Sequence, residues 1–224
     1  MDGYRKKHFI SRFVNNMKLT TLERRILEIS HKYHLGHLNG CLTAVQLIDK
    51  IYEVKKPEDI FILSAGHTAV ALYVVLEKLY GFDAEKLFLK HGVHPNRDLG
   101  DKIYCSTGSL GCGITIAVGM AMANRERDVY VLMGDGEFAE GSCWEALRIA
   151  GELRLENLKV MVNANGTSAY GKVDVDLLDM RLQMFFPTLV VKTNLYRYPS
   201  YLQGFQGHYT VLNDTQYKEL TDET

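Results

Sequence analysis

The first strong pattern of apolar residues has the period of a helix. Residues 20–33 carry an apolar residue every three or four positions, which places these residues on one helical face. The residues of that face are Leu22, Ile26, Ile29 and Tyr33. Thr20 and Glu23 have the spacing of a capping box, a pair that hydrogen-bonds across the first turn of a helix. The pattern therefore predicts an amphipathic helix that begins at Thr20.

Four short apolar runs further along the chain predict buried strands. They cover residues 60–63, 129–133, 158–162 and 189–192. Segments with a helical pattern separate them, at residues 43–52, 68–80, 114–123, 141–153 and 176–185. The small apolar residues of segment 114–123 predict a helix that is packed tightly on both sides. Unbroken apolar strands that alternate with helices predict an α/β fold, a single three-layer domain with a mostly parallel sheet flanked by helices.

The composition is that of one ordinary globular domain. The chain has 224 residues, 46% hydrophobic and 24% charged, which is enough for a sizeable core. Its net charge of −1 gives no reason to expect nucleic acid or a membrane surface as a partner. We expect a single domain over residues 1–224, in which residues 1–16 form an N-terminal extension that is neither a signal peptide nor a membrane span.

The cysteines predict a reducing compartment. The four of them, Cys41, Cys105, Cys112 and Cys143, lie far apart and form no C-x-x-C pair. We therefore expect buried, reduced thiols in a cytoplasmic protein rather than disulfides or a zinc site.

Two polar residues at strand ends predict a metal–diphosphate site. Asp135 and Asn165 each follow a predicted strand, and the carboxyl ends of parallel strands meet at one edge of a sheet. Carboxylate and amide oxygens suit Mg²⁺ or Ca²⁺, and Mg²⁺ takes its other ligands from phosphate oxygens and water. Gly134 and Gly136 allow a phosphate to approach the backbone, and the helix that follows offers free N–H groups to an anion.

At this point the chain resembles the transketolase family. Its segments 133–141 (MGDGEFAEG) and 163–171 (NANGTSAYG) are similar to the GDG…N motif that binds thiamine diphosphate. Three further stretches resemble transketolase segments in the same order along the chain. They are residues 35–40 (LGHLNG), residues 62–67 (ILSAGH), and His94-Pro95 followed by residues 107–113 (TGSLGCG). The resemblance covers nearly the whole chain and implies the fold that binds the diphosphate of this cofactor.

The resemblance implies which residues hold the cofactor and the metal. Asp135, the Asn165 side chain and the backbone carbonyl of Thr167 would ligate Mg²⁺, with Ca²⁺ as the alternative ion. The residues expected along thiamine diphosphate are His67, Ser109, Leu110, Gly111, Gly134, Asp135, Gly136, Glu137 and Asn165.

Four of the eight histidines fall in segments that resemble the family. They are His37, His67, His94 and His208, and the resemblance implies that they are catalytic. Transketolases break a carbon–carbon bond beside a ketone carbonyl, and imidazoles that titrate near neutrality can move the protons of that reaction. Tyr209 follows His208 where the family usually has glycine. His8, His31, His34 and His91 are expected to be structural or surface residues.

Several departures from the family are visible. Larger or polar residues replace small residues and proline around His37, and only residues 172–187 bridge a gap where the family has an extra strand and helix. The resemblance also implies that the chain stops where the first transketolase domain ends, so we expect the pyrimidine-binding domain to be absent from it. A shortened chain and a natural split subunit would both explain this, and a complete first domain that begins with Met1 favours the split subunit. We expect a separate C-terminal subunit to supply that domain, as a heterodimer or a heterotetramer, with Glu140 paired across the interface. The expected substrates are sugars or sugar phosphates.

Two alternatives stay open on the sequence alone. One is a subunit of another thiamine-diphosphate enzyme, similar to deoxyxylulose-phosphate synthase or to the oxo-acid dehydrogenases. The other is a scaffold subunit without catalytic activity. The ILSAGH and TGSLGCG segments favour a transketolase over the first alternative, and the retained metal ligands and histidines argue against the second.

Overall fold

The computed structural model describes residues 18–193 and 197–222, so the predicted extension at residues 1–16 lies outside the described residues. The helices of these ranges are α1 Thr21–Lys32, α2 Leu38–Val54, α3 Ala69–Tyr80, α4 Ala84–His91, α5 Cys112–Ala123, α6 Gly141–Glu152, α7 Val175–Phe185, α8 Gly204–Tyr209 and α9 Asp214–Asp222. The strands are β1 Ile60–Leu63, β2 Val129–Gly134, β3 Leu158–Ala164, β4 Thr167–Ser168, β5 Gly171–Lys172 and β6 Thr188–Lys192. Three short 3-10 helices occupy Gly66–Thr68, Asp135–Ala139 and Ser200–Leu202.

The four apolar runs form one parallel sheet in the order β1-β2-β3-β6, which confirms the predicted fold class. The last residue of β2, Gly134, stands beside Asn163 near the end of β3. The chain segments that leave β2 and β3 therefore emerge side by side at the carboxyl edge of the sheet. A separate antiparallel hairpin, β4-β5, follows β3 at the same edge.

Each face of the sheet has its own apolar core, so the domain has three layers. Alternate strand residues such as Phe61, Leu132 and Met161 face the layer that contains α1 to α3. Their neighbours in sequence, such as Ile62 and Val131, face the layer of α5 to α7. Because side chains alternate along a strand, the unbroken apolar runs serve both cores at once.

Helix α1 confirms the predicted capping box. The Glu23 amide donates to the Thr20 hydroxyl, and Glu23 Oε2 accepts the Thr20 backbone N–H at 2.8 Å. Glu23 is fully buried, and its other carboxylate oxygen accepts the Tyr198 hydroxyl at 2.9 Å and pairs with Arg197. The cap of the first helix thereby anchors the segment that leads to α8.

Helix α2 begins five residues before the predicted start at residue 43. His37 precedes it with left-handed backbone angles (φ 57°, ψ 20°), and the carbonyl of His37 accepts the Cys41 N–H at 3.2 Å. Residues 38–42, which precede the predicted helix, therefore form its first turn. The structure also contains α4, which the sequence analysis did not assign. Asp83 caps it by accepting the N–H groups of Glu85 and Lys86.

The prediction of a tightly enclosed helix at residues 114–123 is wrong for one face of α5. Ile114, Ala117 and Ala121 are buried, whereas Ile116 and Met122 are 38% and 48% exposed. The helix is apolar all round, so its sequence does not show which face is covered. The expectation of buried thiols is also wrong for Cys112, which lies exposed at the start of this helix; all four cysteines are unpaired.

Strand β6 forms one edge of the sheet beyond the shortened 172–187 region. The Gln183 side chain donates to the Thr188 carbonyl at 2.7 Å and so occupies one acceptor at the start of this edge strand. No helix in the described ranges is long and apolar enough to cross a membrane.

The close contact of α5 with the end of β1 makes a stability prediction. A Cβ at Gly113 would lie 2.5 Å from Ser64 Cα, so Gly113→Ala must push the helix away from the strand. We expect this change to lower the free energy of unfolding by about 1–3 kcal/mol, measured by urea unfolding.

Gly119→Ala is the matched control on the same helix. Gly119 is exposed, and a Cβ added there would meet no atom within 4 Å, so alanine should raise the stability by about 1 kcal/mol through helix propensity. Equal effects of the two substitutions would contradict the packing described for Gly113.

Candidate active site

The carboxyl edge of the sheet holds a cavity of about 230 Å³. All four histidines that the sequence analysis singled out line it. The three residues expected at the metal, Asp135, Asn165 and Thr167, line the same cavity. The fold therefore brings the two predicted groups of residues into one site.

Asp135 lies at the centre of one wall, in the 3-10 turn after β2. It is 3% exposed, and its two carboxylate oxygens accept backbone N–H groups from Gly136 at 3.0 Å and Gly166 at 2.7 Å. The second bond crosses from the turn after β2 to the turn after β3. Burial raises the pKa of Asp135 to about 6, although these hydrogen bonds favour the charged form.

Asn165 and Thr167 lie on the neighbouring turn and its hairpin. Asn165 Oδ1 accepts the Thr167 N–H at 2.9 Å, which fixes the amide beside the backbone of that residue. Gly136 packs against the hairpin, and a Cβ there would lie 2.7 Å from Ser168 Cβ. The backbone of the Gly-Asp-Gly turn and the hairpin are thus held together at a distance that only glycine permits.

Glu137 lines the cavity, but its carboxylate is engaged by the protein itself. Oε1 accepts the Ser64 hydroxyl at 2.6 Å and the Gly111 N–H at 3.1 Å, and Oε2 accepts the Gly134 N–H at 2.9 Å. Glu137 is 1% exposed, and burial raises its pKa. These contacts join three motif segments, a role that the sequence analysis missed when it placed Glu137 only along the diphosphate.

The loop at residues 107–113 divides between the cavity and the interior. Leu110 lines the cavity, Ser109 is exposed, and Gly111 is buried with a positive φ of 78°. A side chain at position 111 would collide with Ser142. The glycine is required here because both its backbone angle and its surroundings exclude a Cβ.

Three of the histidines form a cluster in the lining of the same cavity. The ring centroid of His37 lies 4.3 Å from that of His208 and 5.2 Å from that of His67. The His37 N–H donates to the His208 carbonyl at 2.9 Å, which ties the start of α2 to α8. The fourth, His94, packs its ring against Gly108, where a Cβ would lie 3.0 Å from it.

The clustered imidazoles are neutral near pH 7. Burial, and then the charge of His208 and His94, lowers the pKa of His37 to about 4. Burial among the other histidines lowers the pKa of His67 to about 3, and burial also lowers the pKa of His208. His37 Nδ1 is buried and has no hydrogen-bond partner among the described residues.

Several residues of the cavity wall were not predicted as site residues, and two of them, Asn163 and Tyr209, have side chains of functional interest. Asn163 donates to the Thr43 hydroxyl at 2.9 Å and accepts from the Thr193 hydroxyl at 2.6 Å, which links β3, α2 and the end of β6. Its position as a polar residue inside an apolar strand was the available signal. Tyr209 also lines the cavity, and only its departure from the family pattern marked it.

The residues present fit a metal-bound diphosphate. The wall offers one buried carboxylate, one amide oxygen and the Thr167 backbone, which are the hard oxygen donors that Mg²⁺ accepts. Gly134 leaves its side-chain position open towards the cavity, with Ala65 Cβ as its only neighbour at 3.9 Å among described residues. An anion can therefore approach the strand end without a steric obstacle.

A parallel sheet with this acid–amide pair at its carboxyl edge and a wall of histidines defines a thiamine-diphosphate-binding domain. The family described as "Transketolase, thiamine diphosphate binding domain" matches residues 50–186, and the chain belongs to this family.

Comparison with individual proteins agrees with this assignment. The chain is 32% identical over 188 residues to an apulose-4-phosphate transketolase subunit of Phocaeicola vulgatus, covering 70% of this chain and 66% of that protein. It is 31% identical over 152 residues to 1-deoxy-D-xylulose-5-phosphate synthase of Fusobacterium nucleatum, covering 66% of this chain and 24% of that protein. The chain thus spans less than two thirds of the length of these relatives.

A solved structure shows the same fold. A transketolase variant from Pichia stipitis superposes with a TM-score of 0.71 at 23% identity, and the match covers 90% of this chain and 40% of that chain.

The buried histidines make a prediction about pH. An unfolded imidazole titrates near 6.5, whereas the pKa of His67 in the folded chain is about 3. Below pH 6.5 the unfolded state therefore binds more protons than the folded state. We expect the free energy of unfolding to fall with falling pH, by on the order of 1 kcal/mol per pH unit for this residue.

Urea unfolding at pH 7 and at pH 5 measures this effect. His67→Gln removes the titrating group and should reduce the difference between the two pH values. The same pH dependence in the variant and the wild type would contradict the assignment.

Proposed function

We propose that this chain is the diphosphate-binding subunit of a thiamine-diphosphate-dependent transketolase, which transfers a two-carbon ketol unit from a ketose to an aldehyde. The observation that supports the proposal most strongly is the shared cavity of Asp135, Asn165, Thr167 and the four histidines. We propose that residues 1–224 form one thiamine-diphosphate-binding domain. The similarity to a relative that is named as a transketolase subunit supports a split enzyme.

In this proposal the cavity holds Mg²⁺, or Ca²⁺, together with the cofactor. Asp135, the Asn165 amide and the Thr167 carbonyl would ligate the ion, and the backbone around Gly134 and Gly136 would face the diphosphate. Leu110 would contribute an apolar wall for the ring part of the cofactor. When bound, thiamine diphosphate supplies the electron sink for cleavage of the bond beside a ketone carbonyl.

The histidines of this chain would bind the substrate and move its protons. The imidazoles of His37 and His67 are neutral, so each can donate from one ring nitrogen and accept at the other. The rings of His37 and His67 both line the cavity, where a substrate hydroxyl or carbonyl would meet them. His94 and His208 extend the same wall. This arrangement suits a sugar or sugar phosphate, whose hydroxyls need several donors and acceptors at once.

A partner subunit with a pyrimidine-binding domain would complete the site, as a heterodimer or a heterotetramer. Glu140 lies half-buried at the end of the Gly-Asp-Gly turn, where its carboxylate accepts the Tyr170 hydroxyl at 3.2 Å. The proposal pairs Glu140 with a glutamate of the partner. The exposed apolar face of α5 is a second candidate contact. The four unpaired cysteines suit a cytoplasmic location.

One relative favours a second candidate function. The similarity to a deoxyxylulose-phosphate synthase keeps a synthase-like subunit as the alternative. The two differ in their donor, so assays of the reconstituted enzyme with pyruvate and with ketose phosphates separate them. Activity with pyruvate alone would replace the transketolase proposal.

The cofactor proposal is tested by calorimetric titration of thiamine diphosphate with Mg²⁺ into the full chain, alone and with the partner subunit. We expect binding, and we expect Asp135→Ala to weaken it by at least about tenfold because a metal ligand is lost. Asp128→Ala, just before the opposite end of β2, is the matched control and should bind normally. Absence of binding in every combination would favour the scaffold alternative.

The partner proposal is tested by activity. The chain alone should transfer no ketol group, and addition of the partner subunit should restore transfer. Glu140→Gln should reduce the restored activity by about tenfold or more because the carboxylate proposed to pair with the partner's glutamate is lost, with cofactor binding unchanged. Glu145→Gln, an exposed residue of α6, serves as control. Full activity of the chain on its own would contradict the need for a partner.

A further inference from the structure

An aromatic rim stands at the mouth of the cavity, and the proposed catalytic groups do not explain it. Tyr209 lines the cavity and is 56% exposed, and Phe205, one turn earlier in α8, is 49% exposed. Their ring centroids lie 5.4 Å apart in an edge-to-face arrangement. We call these two residues the aromatic rim. Large apolar side chains left open beside a polar cavity are suited to an apolar part of a ligand.

The aromatic rim is fixed relative to the histidines. The Tyr209 ring lies 5.0 Å from that of His208 and 6.3 Å from that of His37, measured between centroids. The His208 carbonyl accepts the His37 N–H, and the Thr210 hydroxyl donates to the Tyr201 carbonyl at 2.7 Å. These bonds anchor both ends of the short segment that carries Tyr209. A molecule held by the histidines and projecting outwards therefore meets the Tyr209 ring.

The charges of the cavity wall also favour an apolar part of a ligand at this position. No lysine or arginine occurs among the described residues that line the cavity. Its two carboxylic-acid residues are Asp135 and Glu137, and the His37 and His67 imidazoles are neutral. A phosphate group that projects past His37 would find no cation among the described residues of this wall. By contrast, an aliphatic part or C–H face of a ligand would contact the Tyr209 ring.

We propose that Tyr209 is a specificity-determining residue whose ring, supported by Phe205, stacks on the C–H face of the substrate where it leaves the histidine cluster. The substrate class is accordingly a sugar that carries no phosphate at that position. This inference rests on the proposed function, because it assumes that the reacting carbonyl lies among the histidines.

The test measures sugar binding to the full chain by saturation-transfer NMR, with thiamine diphosphate and Mg²⁺ present. The probes are D-xylulose and D-xylulose 5-phosphate. The wild type should bind the phosphorylated sugar no more tightly than D-xylulose. Tyr209→Ala should weaken D-xylulose binding by about fivefold, the size of one aromatic contact, and Tyr209→Phe should stay within about twofold of the wild type.

Two controls keep the result interpretable. Tyr80→Ala removes an exposed tyrosine at the end of α3 that does not line the cavity, and should leave sugar binding unchanged. Calorimetric titration of the cofactor into each variant reports separately on folding and on the proposed function. If the cofactor fails to bind while Tyr209→Ala still weakens sugar binding, the proposed function fails and the role of Tyr209 stands.

Three results would overturn the proposal. The first is an unchanged D-xylulose affinity in Tyr209→Ala. The second is binding of the phosphorylated sugar to the wild type that is tenfold tighter than binding of D-xylulose, a difference of about 1.4 kcal/mol. The third is that neither sugar binds. The first would favour the aromatic rim as a protein contact instead.

Discussion

The site depends on one buried carboxylate, that of Glu137. A charged group without partners in a protein interior is strongly unfavourable, so this carboxylate is stable only when its hydrogen-bond donors surround it. The donors come from three places: the Ser64 hydroxyl after β1, the Gly111 N–H before α5, and the Gly134 N–H at the end of β2. Satisfying Glu137 therefore brings together three loops that would otherwise be independent. Asp135, two residues earlier in the chain, is positioned by the same turn.

The positions of the other cavity residues depend on this arrangement, and their charge states depend on burial away from water. With the turns after β2 and β3 held together by the bond from Gly166 to Asp135, the hairpin that carries Thr167 packs against Gly136. The same burial that orders the acidic wall keeps the histidine wall neutral. The two walls thus differ in chemistry, one suited to a cation and its phosphate ligands and the other to hydroxyl and carbonyl groups.

The sequence was sufficient for the fold and for the acidic wall, because both follow from strand order. Apolar runs define parallel strands, and polar residues directly after them must meet at one edge, as Asp135 and Asn165 do. It was not sufficient for Glu137, whose partners are distant in sequence, or for the exposed face of α5, because an apolar helix does not show which side is covered. The left-handed backbone of His37 and the ring contact between His37 and Tyr209 both require α8 to pack against the start of α2. No local sequence pattern records that contact.

The bond between His37 and the carbonyl of His208 has a consequence for how the molecule is made. A left-handed conformation in a residue other than glycine costs about 1–2 kcal/mol, so His37 needs its partner to hold it. His37 leaves the ribosome before His208, and the sheet strands between them are synthesised before His208 as well. The histidine cluster is therefore the last part of the cavity to form, and a nascent chain can complete its four-stranded sheet before it has the full cavity.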